Sequence, residues 1–276
     1  MKKLIGLSPL YLLLVLWVLF ISVPLLWIFL SAFKTNAEII SSPWNLPTEW
    51  QWENFKRAWY DTHFYRYFIN SVIYTAISAT LGTLISAMAA YVLSRYKFKG
   101  NRLVYMYFVL GLFVPFYLTM IPTWQLFRQI GILGNPIGLI LLYIVWSLPW
   151  SVFILYGYFE YLPQELMDAA SIDGASDFQI FHKIMMPLAR GGLTAMFVFN
   201  TLWIWNDFLM PLLFLSDEDR RPLPLGLVTL FKAKKALADW SAILAATVIM
   251  LIPVVVVFVI LQKQVVKGAM AGALKG

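Results

Sequence analysis

The sequence predicts an all-α polytopic membrane protein with six transmembrane helices and a charged helix–turn–helix between the fourth and the fifth. Three observations carry this. Of the 276 residues, 61% are hydrophobic and 13% charged, with a mean hydropathy of +0.75, a composition that suits a chain solvated by lipid. Six apolar runs approach the ~20 residues needed to cross a hydrocarbon core. One long polar stretch, residues 162–190, obeys the rules of helix ends throughout, and loops longer than about 12–15 residues are usually functional or disordered.

The spans are expected near residues 9–33, 68–93, 103–127, 136–159, 191–215 and 240–261. The first follows Met1-Lys2-Lys3, which imitates a secretory signal. Its run is too long for an h-region of about 7–15 residues and lacks a small-residue cleavage site, so it reads as a retained helix. Residues 34–67 hold Trp44, Trp50, Trp52, Phe55, Trp59, Tyr60, Phe64 and Tyr65, with a short helix expected at 52–61. These aromatics read either as an interfacial belt or as a contact for a docked protein. In the second span Ser78, Gly82, Ser86 and Ala90 recur every fourth residue, so another helix can approach closely. Pro115, Pro122, Pro149 and Pro253 interrupt helix ladders inside the spans, which membrane helices tolerate where neighbours satisfy the freed carbonyls. Asn206 and Asp207 fall inside the fifth span. An intramembrane carboxylate is a functional candidate by default, and the plainer reading is a hydrogen bond to a neighbouring helix. Residues 216–239 form a polar connection with a D-E-D-R-R run.

Within 162–190, Pro163 suits a first helical turn, and Glu165 and Asp168 lie where the helix dipole favours acids. Gly174 after Asp173 is a natural exit from a helix. Ser176 and Gln179 have capping-box spacing for a second helix. Phe178, Phe181 and Met185 then recur at i, i+3, i+7 as one apolar stripe that needs a partner surface, and Pro187 marks the entry to the next span. A helix pair lying on the membrane is the alternative, but such helices favour Lys and Arg on their polar face, and this first half is acidic.

The run D-A-A-S-I-D-G-A-S-D-F-Q-I-F-H-K-I-M-M-P resembles the "EAA" coupling loop of permease subunits in binding-protein-dependent ABC importers. Asp168, Ala169, Ala170, Asp173, Gly174, Ala175, Phe178, Phe181 and Pro187 match that pattern, with Asp168 standing where the family usually has Glu. Together with Glu165 they are the residues the resemblance assigns to ATPase coupling. The strings F-I-N-S-V, A-A-Y-V-L-S-R-Y-K-F-K-G, I-P-T-W-Q-L-F-R-Q-I-G-I-L-G-N-P-I-G-L-I and W-N-D-F-L-M-P-L-L-F-L are similar to carbohydrate-uptake permeases. The terminal G-A-M-A-G-A-L-K-G resembles the MalG-type second permease subunit of maltose-family systems. In that family the tail enters the interface between the ATP-binding subunits, which singles out Gly268, Gly272 and Lys275.

The resemblance implies a sister permease forming a heterodimer, two ATP-binding subunits, an extracytoplasmic sugar-binding protein and a cell inner membrane location. The sugar is expected to be a disaccharide or oligosaccharide, with glycerol-3-phosphate and sugar alcohols open. Asn206 and Asp207 are the candidates for the substrate path. No G-x-x-x-x-G-K-[ST] phosphate loop occurs, so ATP and Mg are expected in partner subunits and this chain is expected to be no enzyme. The competing reading is an ion-coupled secondary transporter, which has only Asp207 to offer as an ion site.

Composition excludes other classes. There are no cysteines for disulfides or thiolate metal sites. His63 and His182 have no ligand-like spacing, so no metal site is expected. The net charge of +7 is scattered rather than gathered into the contiguous basic face that nucleic acid requires. The bases divide almost evenly between the two sides. Short loops therefore decide orientation, and the loop carrying Arg95, Lys97, Lys99 and Arg102 without an acid places itself, both termini and the 162–190 loop in the cytoplasm. The chain then divides as 1–67 (first helix and aromatic outer loop), 68–262 (transmembrane domain) and 263–276 (cytoplasmic tail).

Overall fold

The computed structural model describes residues 8–233 and 239–273 and contains helices and connections, with no strand among those residues. In chain order the α-helices of four or more residues are α1 (Ser8–Ser31), α2 (Asn36–Ser41), α3 (Glu53–Lys56), α4 (Phe64–Arg95), α5 (Asn101–Gly111), α6 (Phe116–Gln129), α7 (Pro136–Glu160), α8 (Glu165–Ile172), α9 (Asp177–Ile180), α10 (Arg190–Asn206), α11 (Leu209–Phe214), α12 (Leu223–Ala233) and α13 (Trp240–Ala273). Wide π-type turns extend α3 over Arg57–Asp61 and α9 over Phe181–Met185. The helices pack as two compact units, Met1–Tyr65 with Gly226–Pro253 and Arg66–Leu225 with Val254–Gly276.

α1, α4, α7 and the Trp240–Gln262 part of α13 are each long and apolar enough to cross a membrane. The expected count of six differs at the third and fifth spans. The third is two helices, α5 and α6, bent by 102°. Pro115 explains the break: it has no N–H for the Gly111 carbonyl, and it takes an extended conformation (ψ 123°) immediately before α6. By contrast Pro122, Pro149 and Pro253 lie inside continuous helices. The fifth begins as the 17-residue α10, stops at Asn206, and resumes as α11 after Asp207 turns extended.

In the first unit α1 is apolar on every side and its most apolar window has no buried residue, as suits a helix solvated by lipid. The chain after it folds around Phe33, whose ring lies within 5.0 Å, centroid to centroid, of Trp50, Trp52 and Phe55. Lys34 is buried, its ammonium donating to the carbonyls of Pro43 (2.8 Å) and Ser42 (3.3 Å). The buried Asn54 amide donates to the carbonyls of Ala32 and Lys34. Arg57 ties this knot to Asp239 through a 3.0 Å ion pair. The expected short helix at 52–61 is α3 with its wide turn, while Trp44, Trp50, Trp52 and Tyr60 keep most of their surface exposed.

In the second unit α4 and α7 meet along the small-residue face of α4. Ser78, Ser86 and Ala90 are fully buried, and a Cβ added at Gly82 would collide with the Ser147 hydroxyl. α10 joins them through Asn200, whose amide donates to Thr83 and Ser151 at 3.2 Å each. One apolar cluster fills the end of the unit around Tyr143, Phe127 and Phe214. A second fills the opposite end of α4 and is shared with residues 162–190.

Candidate functional site

The two helices of the 162–190 loop are built as their sequence dictates. Leaving α8, the Ala175 N–H bonds the Ala170 carbonyl (3.0 Å) and the Gly174 N–H bonds the Ser171 carbonyl (3.1 Å), the paired bonds of a Schellman ending. Gly174 has φ +78°, where an L side chain is strained. α9 opens with the full capping box: Ser176 accepts from the Gln179 N–H, and the Gln179 side chain accepts from the Ser176 N–H. Sequence reasoning anticipated both devices at these residues.

The loop is not a free appendage. Met167, Ala170, Ile180, Met185 and Ala189 are buried in one cluster with Ala87, Tyr91, Leu155, Phe159 and Met196 from α4, α7 and α10. At the far side of the loop Gly192 approaches α7 so closely that a Cβ there would lie 2.6 Å from the Tyr158 ring. What remains outside is a compact mixed surface: Glu165, Leu166, Asp168, Ala169, Ile172, Asp173, Gly174, Phe178 and His182. Ile172 and Phe178 are 87% and 70% exposed, far more than large apolar side chains need be when a core lies beside them.

The expected Phe178/Phe181/Met185 stripe is therefore divided. Phe178 points outward and stacks on His182. Phe181 is half-buried against Tyr91 (5.0 Å) and Phe159 (6.4 Å), and Met185 is fully buried. The reason is the wide turn at Phe181–Met185. Spacing of 3.6 residues places the three side chains on one face, whereas the observed inward set Ile180, Met185, Ala189 advances by five and then four residues. Among the assigned coupling residues, Ala170 is buried, Ala175 and Phe181 are half-buried, and Glu165, Asp168, Ala169, Asp173, Gly174, Phe178 and Pro187 face outward.

Side chains from α4 hold the loop, and sequence reasoning did not find them. Arg95, the last residue of α4, donates through its guanidinium to the Phe159 and Leu162 carbonyls at the end of α7 and to the Gln164 side chain at 3.3 Å. The negative end of the helix dipole at the C-terminus of α7 favours a cation. Gln164 in turn donates to Asp168 at 3.2 Å. The Tyr96 hydroxyl donates to Asp177 at 2.9 Å and lies 3.2 Å from the Tyr91 hydroxyl. Burial first, and then the bonds to Tyr91 and Asp177, raise the Tyr96 pKa above its ordinary value. Arg95 was visible in the sequence only as a topology charge, because its partners lie more than sixty residues away.

The substrate-path pair separates too. Tyr143 donates its hydroxyl to Asp207 at 2.8 Å, and the Leu209 and Met210 N–H groups donate to the same carboxylate at 3.2 Å each, so Asp207 caps the first turn of α11. Asn206 is exposed, its amide donating to the Leu202 carbonyl of its own helix. Gly268 and Gly272 lie on the α13 backbone, and Lys275 lies outside the described residues. Among the described residues no group of three or more His, Asp or Glu could hold a metal ion.

Residues 82–270 match the family model described as binding-protein-dependent transport system inner membrane component. The chain is 38% identical over 263 residues to the diacetylchitobiose uptake system permease protein NgcG of Streptomyces coelicolor, covering 95% of this chain and 87% of that one. It is 35% identical over 258 residues to the trehalose/maltose transport system permease protein MalG of Thermococcus litoralis, covering 92% and 91%. In fold it is similar to a chain of a bacterial ABC transporter involved in the import of the acidic polysaccharide alginate. That likeness has a TM-score of 0.84 at 22% identity, over 95% of this chain and 96% of that one.

Proposed function

Because the chain belongs to the family of binding-protein-dependent transport system inner membrane components, we propose that it is the permease subunit of an ATP-driven sugar importer whose drive enters through residues 162–190. The relatives named above are permeases for chitobiose-type and maltose-type sugars, and they support a disaccharide or oligosaccharide as cargo. In this reading it pairs with a sister permease to enclose the path, receives sugar from an extracytoplasmic binding protein, and rests on two ATP-binding subunits that hold ATP and Mg. Both termini and the 162–190 loop lie on the cytoplasmic side, and the tail with Gly268, Gly272 and Lys275 reaches the ATPase interface.

The observation that carries the reading is the construction of the loop. Its inner face is fused into the core of α4, α7 and α10, while Ile172 and Phe178 are held outward on the same short helices. A loop built only to lie against its own protein would bury them. Burial of each by a partner is worth roughly 1.5–3 kcal/mol, and rigid attachment on the inner face lets a push on the outer face move the helices. Asn206 is the member of the substrate-path pair that keeps an exposed position, and we assign it rather than Asp207 to that path.

The test is co-purification after expression with the other importer subunits, comparing wild type with Phe178→Asp. The ATP-binding subunit should accompany wild type and be lost from the variant, with insertion unchanged. A wild-type chain that purifies alone and moves solute down an ion gradient in liposomes overturns the proposal in favour of a secondary transporter.

A further inference from the structure

The loop is covalently continuous with α7 on one side and α10 on the other, so movement reaches those two helices through the chain itself. α4 has no such link. We propose that Arg95 and Tyr96, at the end of α4, are positioning residues that carry movement of the 162–190 loop into α4. The inference rests on the proposed coupling role of that loop.

The geometry supplies two grips, one on each helix of the loop. The first runs from the Arg95 guanidinium to the Phe159 and Leu162 carbonyls and through Gln164 to Asp168. It ends on a carboxylate that belongs to the outward surface, so the side chain offered to a partner is tied by two hydrogen bonds to α4. The second runs from the Tyr96 hydroxyl to Asp177 in the first turn of α9. It is steadied from behind by Tyr91, whose hydroxyl meets Tyr96 and whose ring packs on Phe159 and Phe181. The chain just beyond the grips is itself braced, because the Asn101 amide donates to the Leu93 carbonyl (3.0 Å) and the Tyr96 carbonyl (2.8 Å) and folds residues 96–101 back on the end of α4. Apolar packing holds the loop against α4 but is non-directional and lets one surface slide over the other. The hydrogen bonds fix the direction and register in which loop and helix move together.

The choice of residues fits this role. A planar guanidinium can engage two carbonyls and a side-chain oxygen together, whereas a lysine ammonium on a flexible stem holds them in no fixed arrangement. Tyr96→Phe keeps the ring and removes only the hydroxyl, with its bond to Asp177 and its contact with the Tyr91 hydroxyl.

The test uses the whole importer, with sister permease, ATP-binding subunits and sugar-binding protein, reconstituted in liposomes and assayed for sugar uptake and ATP hydrolysis in the same vesicles. Wild type is compared with Tyr96→Phe, Arg95→Gln, the double variant and Arg95→Lys. The expected result is that each single variant still co-purifies with the ATP-binding subunit, while sugar moved per ATP hydrolysed falls roughly threefold and in the double variant about tenfold. Arg95→Lys should recover part of the Arg95→Gln loss. A Tyr96→Phe importer that assembles and keeps the wild-type ratio overturns the inference, as does an Arg95→Gln loss confined to total activity with the ratio unchanged. Failure of the coupling-loop reading is seen separately, as wild type that does not bring down the ATP-binding subunit.

Discussion

Gly174 offers a perturbation whose two effects separate cleanly. The residue ends α8 at φ +78°, and a Cβ placed there meets nothing within 4 Å. Replacement by alanine therefore adds no collision inside the chain and leaves only the strain of a left-handed L residue, about 1–2 kcal/mol. At roughly 2–4 °C per kcal/mol for a chain of this size, Gly174→Ala should lower the unfolding midpoint in detergent by a few degrees. Gly174→Asn should cost less, because asparagine tolerates this conformation. Gly174→Leu carries the same strain as alanine and a branched side chain projecting from the outward surface. It should match alanine in thermal stability yet lose most sugar uptake per ATP hydrolysed in the reconstituted importer. Uptake by Gly174→Leu at the wild-type ratio would show that no partner rests on this face. An asparagine variant as unstable as the alanine one would show that backbone conformation is not why glycine stands here.

Four further outcomes follow from neighbouring geometry. Gly192→Ala gains about 1 kcal/mol of helix propensity but drives a Cβ to 2.6 Å from the Tyr158 ring, an overpacking cost of about 1–3 kcal/mol; a lowered unfolding midpoint is expected, and a raised one contradicts the close approach. Met185→Ala should destabilise by about 2–5 kcal/mol, because that side chain is wholly internal, whereas Phe178→Asp should leave the midpoint within error and abolish capture of the ATP-binding subunit. Tyr143→Phe removes one hydrogen bond to Asp207 and should cost about 0.6–1.7 kcal/mol with sugar affinity unchanged, while Asn206→Ala should alter transport; the reverse pattern returns Asp207 to the substrate path. Glu38 accepts first from the Thr48 hydroxyl and then from the N–H groups of Thr35 and Thr48, which lower its pKa from 4.5 to about 2. Its contribution to stability is thus complete above pH 4.5 and lost as pH falls through about 2, and Glu38→Gln should remove that stretch of acid dependence from a thermal titration.

Much of this was legible because the rules involved are local. Apolar run length located α1, α4, α7 and α13, and the Ser176/Gln179 box and the Gly174 ending were readable from a handful of adjacent residues. The resemblance carried by residues 168–187 pointed to the family that the comparisons then gave. Two kinds of feature escaped. A period of 3.6 residues per turn does not hold through Phe181–Met185, where the wide turn divides a stripe that the sequence presents as single. No sequence pattern distinguishes that turn from ordinary helix. The grips of Arg95 and Tyr96 depend on carbonyls and carboxylates brought near only by packing of α4 on α7, and a residue's partners across the fold are invisible to any rule about its neighbours in sequence. At Pro115 the sequence signal was present but shared with Pro122 and Pro149. Only the first of the three ends a helix.

The unburied surface of α1 bears on how the molecule is made. Along its apolar window α1 has no buried residue, so this stretch can rest in lipid without a neighbouring helix. It can wait in the bilayer for the remainder of the chain. α4 cannot, since half of its most apolar window is buried, its Ser78 bonds α7 and its Thr83 bonds α10. Synthesis must run 65 residues past the end of α4 at Arg95 before α7 is whole at Glu160, and longer still before Asn200 emerges to meet Thr83 and Ser151. Until then the small polar face of α4 lacks the helices that bury it in the folded chain.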